Sequence, residues 1–282
     1  MNEFAAAMDP RSVGYRWFVA IKYITFLLLS FNVYLFLEQE LISATHAGIA
    51  ELDLASLVQL FSATLDTAAW VLLLLLFELE TAILPDTRLV GATKWSLHGL
   101  RWLCGAAIVS AFLGYIGEWE VFRQAASLPE PACDLVTQHW SVLLGFDSFT
   151  PLNAANCSAL NADAVQISAL HQVIASPRIF ADAQDLALVD VVNAGAWILV
   201  VIALEIEVHV QLKGGLPQRL QWGLTATKIM LYLVLAAAAI YWGFEGDFLD
   251  FWDAALWLFA FVFIELNVFE WQREIDQHTQ LE

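Results

Sequence analysis

The stretch DTAAWVLLLLLFELE, Asp66–Glu80, decides how this chain folds. Its centre is an unbroken apolar run, which is typical of the middle of a membrane-spanning helix. Glu78 and Glu80 nevertheless lie at its end, before the apolar character of the chain is lost. A charge at the centre of such a helix costs about 2.5–3.5 kcal/mol on insertion scales. These two carboxyl groups therefore need a structural or functional explanation.

Composition extends this interpretation to the whole chain of 282 residues. Hydrophobic residues make up 60% of it and charged residues 15%, and the hydrophobic residues come in long blocks. A block of about 20 residues crosses a bilayer as a helix, because lipid offers the backbone no other hydrogen-bond partner. The sequence therefore predicts an all-α polytopic membrane protein. Its six predicted spans are 15–37, 64–84, 96–117, 188–211, 222–243 and 252–271.

Basic residues mark alternate connections between these helices, and such connections stay in the cytoplasm. They precede the first helix, lie between the second and third and between the fourth and fifth, and follow the last. Both termini are therefore predicted to be cytoplasmic, in a cell inner membrane. The predicted organisation is a cytoplasmic segment 1–14, a first hairpin with the third helix 15–120, an extracytoplasmic insertion 121–187, helices four to six 188–272 and a cytoplasmic tail 273–282.

The net charge is −18, and the predicted outer loops are acidic. Such loops are either a solvated acidic surface or a funnel that concentrates cations at an outer mouth. The charge excludes a basic surface that binds nucleic acid. The expected partners are the lipid bilayer and a small cation or proton. The outer insertion is a candidate surface for a protein partner or for a second copy of the chain.

The outer insertion contains two of the three cysteines, Cys133 and Cys157. A disulfide between them is predicted, because an extracytoplasmic compartment permits it. Cys104 lies inside the third helix and is expected to be a small core residue. The stretch ADAVQISALHQVIA, residues 162–175, has helical spacing and predicts a short helix within the insertion.

Three of the predicted spans repeat one pattern. DTAAWVLLLLLFELE, NAGAWILVVIALEIE and DAALWLFAFVFIELN each place Asp or Asn four residues before Trp, Glu eight residues after it, and a polar residue two positions later. The helix before each of them has a Trp five or six residues before Lys or Arg. The chain is therefore predicted to be three tandem hairpin repeats of one orientation, related by an axis along the membrane normal.

The charges of these repeats fall at one depth. Each basic residue is one to two turns into its helix and each glutamate about two turns before the end, which places both in the inner third of the bilayer at 1.5 Å per residue. Opposite charges at one level favour pairing, since pairing removes much of the insertion cost. The predicted pairs are Lys22 with Glu78, Arg101 with Glu205, and Lys228 with Glu265.

A second polar residue follows each glutamate two positions later and points about 200° away around the helix. These second residues are Glu80, Glu207 and Asn267. Both members of one pair cannot face the same partner. One member is expected to pair with a base, while the other faces the bundle centre or a neighbouring subunit.

Three further polar residues lie within apolar helices. Asn32 and Ser30, near the middle of the first helix, are expected to hydrogen-bond between helices. His209 is four residues after Glu205 and shares its face, which suggests a proton relay or, with Glu207, a metal site. That spacing also fits an ordinary interfacial histidine, and no metal ligand is predicted.

Two functional hypotheses follow. In the first, the chain is a channel or transporter for a small cation or protons, in which the acids and Asn267 bind or relay the ion and the basic residues are counter-charges. In the second, it is a non-transporting membrane subunit or sensor, whose ion pairs fix the helices and whose insertion binds a partner. Phosphate-loop, dinucleotide and hydrolase motifs are absent, so neither an enzyme nor a cofactor is expected.

Overall fold

The computed structural model describes residues 13–46, 54–80, 91–145, 148–160, 164–168, 172–211, 218–245 and 248–261, and most of them are helical. The helices are α1 (Val13–His46), α2 (Leu54–Leu60), α3 (Ser62–Glu78), α4 (Ala92–Arg123), α5 (Pro177–Gln211), α6 (Gln218–Glu245) and α7 (248–261). The chain divides into two compact units. The first consists of Met1–Asn32 and Tyr232–Glu282, and the second of Val33–Leu231.

Four of the described helices are long and apolar enough to cross a membrane, with apolar spans Arg16–Ala44, Ala92–Arg123, Pro177–Glu207 and Arg219–Glu245. Large apolar side chains on them are exposed, among them Trp102 at 81% and Leu27 at 70%. Water-soluble helices keep such side chains on a buried face, whereas lipid-facing helices expose them. Helix α3 has only 17 residues and α7 is described to residue 261. The six-span topology and the cytoplasmic termini therefore stay predictions.

In the first unit, the described residues belong to α1, α6 and α7. Its deeply buried side chains include Leu29 and Leu235, which are 0% and 1% exposed. Helices α6 and α7 pack closely where they follow one another. A Cβ atom on Gly243 would lie 3.2 Å from the ring of Phe251, so a residue without a side chain permits this approach.

In the second unit, α4 packs against α2, α3 and α5. Small residues allow the closest of these contacts. A Cβ atom on Gly114 would lie 3.1 Å from the carbonyl oxygen of Val58 in α2. Cys104 is buried between α4 and α3 with Ala69 and Ile108, which agrees with its prediction as a core residue.

The chain between α4 and α5 folds into a small domain that contains a sheet, so the fold is not purely helical. The strands are β1 (Ala126–Ser127), β2 (Ser141–Gly145), β3 (Ser148–Pro151), β4 (Val165–Ser168) and β5 (Val173–Ala175), in the order β1-β4-β5-β2-β3. Strands β2 and β5 are parallel, and the other neighbours are antiparallel. A disulfide joins Cys133 to Cys157, as the sequence predicts, and links two 3-10 helical turns that each contribute apolar side chains to the domain core.

The predicted short helix at 162–175 is wrong, because its described parts are strands β4 and β5. Gln172 has a φ of 54°, which an α-helix cannot continue through. Val173, Ile174 and Ala175 follow it and are all buried, with Ile174 at 0% exposure. A short, fully buried apolar run of this kind is compatible with either element from sequence alone. Tertiary packing in the sheet decides between them.

Candidate functional site

Two ion pairs join neighbouring apolar helices in the second unit. Arg101 Nη2 of α4 lies 2.5 Å from Oε2 of Glu80, the second residue after α3. Lys228 Nζ of α6 lies 2.8 Å from Oε2 of Glu207 of α5. In both pairs the acid precedes the base by 21 residues. The same kind of contact is therefore made twice, at the same separation along the chain.

This pairing corrects the sequence prediction for Arg101. It binds Glu80 of the preceding helix, whereas its predicted partner Glu205 is exposed. The sequence placed the charges at one depth along the helices, but depth does not decide which way a carboxylate faces. Helix α4 packs against both α3 and α5, and Glu80 faces Arg101 whereas Glu205 is exposed.

The two pairs differ in their shielding from solvent. The side chains of Lys228 and Glu207 are 10% and 13% exposed, whereas those of Arg101 and Glu80 are 40% and 18% exposed. Charges that are both shielded interact more strongly than charges near solvent. Lys228 and Glu207 therefore form the stronger pair.

Glu78 and Glu80 have different environments, although they are two residues apart. Glu78 is 3% exposed. The backbone N–H of Leu79, the first residue after α3, donates to the carbonyls of Leu75 and Leu76. Glu80 extends to Arg101, and its other oxygen, Oε1, is buried with no hydrogen-bond partner among the described residues.

The remaining predicted site residues are only partly described. Lys22 is 8% exposed, and its Nζ lies 5.2 Å from the centre of the Tyr23 ring. Its pairing with Glu78 stays a prediction. Glu265 and Asn267 lie outside the described residues, as does the side chain of His209. Within the described ranges, no group of three or more His, Cys, Asp or Glu residues could hold a metal ion.

The first unit contains a polar cluster that the sequence did not place in the site. Asn32 Nδ2 of α1 donates to Oδ1 of Asp253 of α7 over 2.7 Å. The indole N–H of Trp257 donates to the same carboxyl group. The expected interhelical hydrogen bond of Asn32 is confirmed, whereas Ser30 donates to the Phe26 carbonyl within its own helix. The sequence did contain a sign of this cluster, since Asp253 precedes Trp257 by four residues, a spacing that the predicted repeats share.

A second interhelical contact was also missed. The carboxylate of Glu40, on α1, accepts hydrogen bonds from the backbone N–H of Ala63 at 2.8 Å and of Thr64 at 3.3 Å. The Thr64 hydroxyl donates to it as well. The capping residue of α3, Phe61, has no side-chain acceptor. A carboxylate from another helix therefore satisfies donors that the first turn leaves unpaired.

Comparisons with known protein families, with curated proteins and with solved structures find no match. Function must therefore be inferred from the site itself.

Proposed function

We propose that this chain is a six-span inner-membrane protein that moves a small cation or protons through a layer of intramembrane acid–base pairs. Both termini would face the cytoplasm, and the disulfide-bonded domain would lie outside. The acids that follow from the geometry are Glu80 and Glu207, with Arg101 and Lys228 as their counter-charges. Glu78 would serve beside them, and Glu265 and Asn267 would complete the layer in the third repeat.

One observation carries this proposal: the pairs Glu80–Arg101 and Glu207–Lys228 recur at the same spacing of 21 residues. Ionisable residues inside membrane helices are costly, and they commonly mark ion pathways or proton relays. If an ion pair served only to hold two helices together, one such pair would be enough. Repetition at one level instead arranges several carboxylates around a common axis, which suits an ion pathway.

The carboxylates also have capacity to bind an ion. An ionised carboxylate accepts through two oxygens, and only Oε2 of Glu80 contacts Arg101. Oε1 is the buried atom without a described partner. A proton or a small cation at this oxygen would compete with Arg101 for the carboxylate, so the basic residue would set the occupancy of the site.

The alternative is a non-transporting subunit or sensor, and the shielding of one pair favours it. Lys228 and Glu207 contact each other directly, and both side chains are largely enclosed by the protein. Buried ion pairs are best documented as devices that fix register and specificity. The outer domain, which has its own core and disulfide, would then bind the partner or signal.

Flux measurements in proteoliposomes separate these functions. We expect Glu80→Gln and Glu207→Gln each to reduce proton or monovalent-cation flux at least tenfold in protein that still folds. Glu120→Gln is the matched control, because its ion pair with Arg123 is exposed. Wild-type protein that carries no flux would contradict the proposal.

A charge swap sharpens the test. Glu207→Lys combined with Lys228→Glu keeps an ion pair between the same helices but moves the carboxylate to α6. A purely structural pair predicts that the swap restores thermal stability and every other property. The transport proposal predicts restored stability without restored flux.

A further inference from the structure

The Asn32–Asp253 pair has two features that helix packing alone does not explain. Asn32 is 1% exposed, and its Oδ1 is buried with no donor among the described residues. Leaving such an acceptor unsatisfied costs about 1–3 kcal/mol. The described contacts of the Asp253 carboxyl are the neutral donors Asn32 and Trp257, so no basic group among the described residues balances a charge there.

We propose that Asp253 and Asn32 form a proton-binding site. A proton taken from water forms one O–H bond at Oδ2 of Asp253 and converts the carboxylate into a neutral carboxylic acid. The new O–H group donates to Oδ1 of Asn32, while Nδ2 of Asn32 continues to donate to Oδ1 of Asp253. This acid–amide pair closes a ring of two hydrogen bonds.

The bound proton removes both anomalies at once. It supplies the donor that Asn32 Oδ1 lacks, and it removes the charge that has no described counter-ion. Burial of a charge costs far more free energy than burial of a hydrogen-bonded neutral group. The Trp257 indole N–H can donate to the carboxyl group in either state, because a carboxylic acid keeps acceptor capacity.

A proton suits this site better than a metal ion. A metal such as Ca²⁺ takes about six to eight oxygen ligands, and the described contacts supply one carboxyl group and one amide. The other titratable side chains described in this unit are Arg16, Lys22, Tyr23, Tyr232, Tyr241, Glu245 and Asp250. Lys22 precedes Asn32 by ten residues, about 15 Å along α1, and Asp250 lies one turn before Asp253 on α7.

The repeat pattern makes this site specific to one pair of helices. Ten residues after the basic residue of its helix, α1 has Asn32, whereas α4 has Ala111 and α6 has Ala238. Both alanines are buried, at 0% and 6% exposure, and neither can hydrogen-bond through its side chain. The acid–amide pair can therefore form only with Asn32, which gives one site and not three.

The inference goes beyond the proposed function, since the site lies outside the layer of acid–base pairs and proton binding does not require transport. Infrared difference spectroscopy of the full chain in nanodiscs, titrated from alkaline to mildly acidic pH, tests it directly. We expect a carboxylic C=O band to appear in the wild type and to be lost in Asp253→Asn. Asp250→Asn, three residues earlier on the same helix, should keep the band.

A second variant tests the role of the amide. Asn32→Leu removes both hydrogen bonds of the ring, so the C=O band should move to higher frequency. A spectrum that Asp253→Asn leaves unchanged, or a band that Asn32→Leu does not move, would overturn the proposal. If Asp253→Asn fails to fold, ¹³C-aspartate labelling of the wild type and of Asn32→Leu gives the same decision. Flux is not measured, so failure here leaves the proposed transport function standing.

Discussion

The ammonium group of Lys228 lies 2.8 Å from the carboxylate of Glu207, and both side chains are almost completely shielded from solvent. Removal of either partner would leave a buried charge without compensation, which typically costs about 3–5 kcal/mol. We therefore expect Lys228→Met to lower the free energy of unfolding by about 3 kcal/mol, measured by chemical unfolding in mixed micelles. Glu207→Gln in the same chain should recover most of this loss, since no charge then remains.

Arg101 provides the matched comparison for this prediction, because 40% of its side chain is exposed. The protein encloses this pair less completely, which leaves Glu80 freer to rearrange, so Arg101→Met should cost only about 1 kcal/mol. Equal losses for Arg101→Met and Lys228→Met would show that shielding does not control the strength of these pairs.

That Arg101 would pair with an acid could be predicted from sequence, but which acid could not. Hydropathy places Arg101 and Glu80 relative to the ends of their helices, and that placement depends only on local spacing. The choice between Glu205 and Glu80 depends on which carboxylate faces Arg101, since α4 packs against both α3 and α5, and this information is not local. For the same reason Asn32 could be expected to bond another helix, while Asp253, 221 residues away, could not be named.

The domain between α4 and α5 shows a second limit of prediction from sequence. Its disulfide was expected from two cysteines in one predicted extracytoplasmic segment, whereas its strands did not follow from periodicity. Val173–Ala175 is too short to distinguish a buried strand from a helix, and the sheet forms only when β5 pairs with β2 and β4. Sequence therefore predicts the helical class, the insertion and its cross-link, but not the sheet within it.

Glu40 is predicted to stabilise the start of α3 through the backbone N–H groups of Ala63 and Thr64. Glu40→Ala removes this cap, which should cost about 1–2 kcal/mol. The loss should be local, so amide hydrogen exchange at Ala63 and Thr64 is the sensitive measurement. Glu38→Gln is the control, because Glu38 is exposed on the same helix. Unchanged exchange at both amides in Glu40→Ala would contradict the capping role.

The disulfide between Cys133 and Cys157 closes a loop of 24 residues. Removal of a cross-link of this length should destabilise the domain between α4 and α5 by about 3 kcal/mol through loop-closure entropy. We expect Cys133→Ser with Cys157→Ser to speed hydrogen exchange in β2 and β5, while exchange in α4 stays unchanged. Cys104→Ala controls for loss of a thiol, since Cys104 is not cross-linked. Wild-type exchange rates in the double variant would show that the strands do not depend on the cross-link.

The contact of Gly114 with α2 gives the last prediction. A Cβ atom there would lie 3.1 Å from both the Val58 carbonyl oxygen and the Ser62 Cβ atom, so Gly114→Leu would force α2 away from α4. Overpacking of this kind typically costs about 1–3 kcal/mol. Gly105→Leu is the matched control on the same helix, because nothing lies within 4 Å of its Cβ position. It should be neutral or stabilising, since leucine favours a helix over glycine by about 0.5–1 kcal/mol. Thermal unfolding of the two variants in one detergent gives the comparison, and a lower midpoint for Gly105→Leu than for Gly114→Leu would show that α2 does not pack at this position.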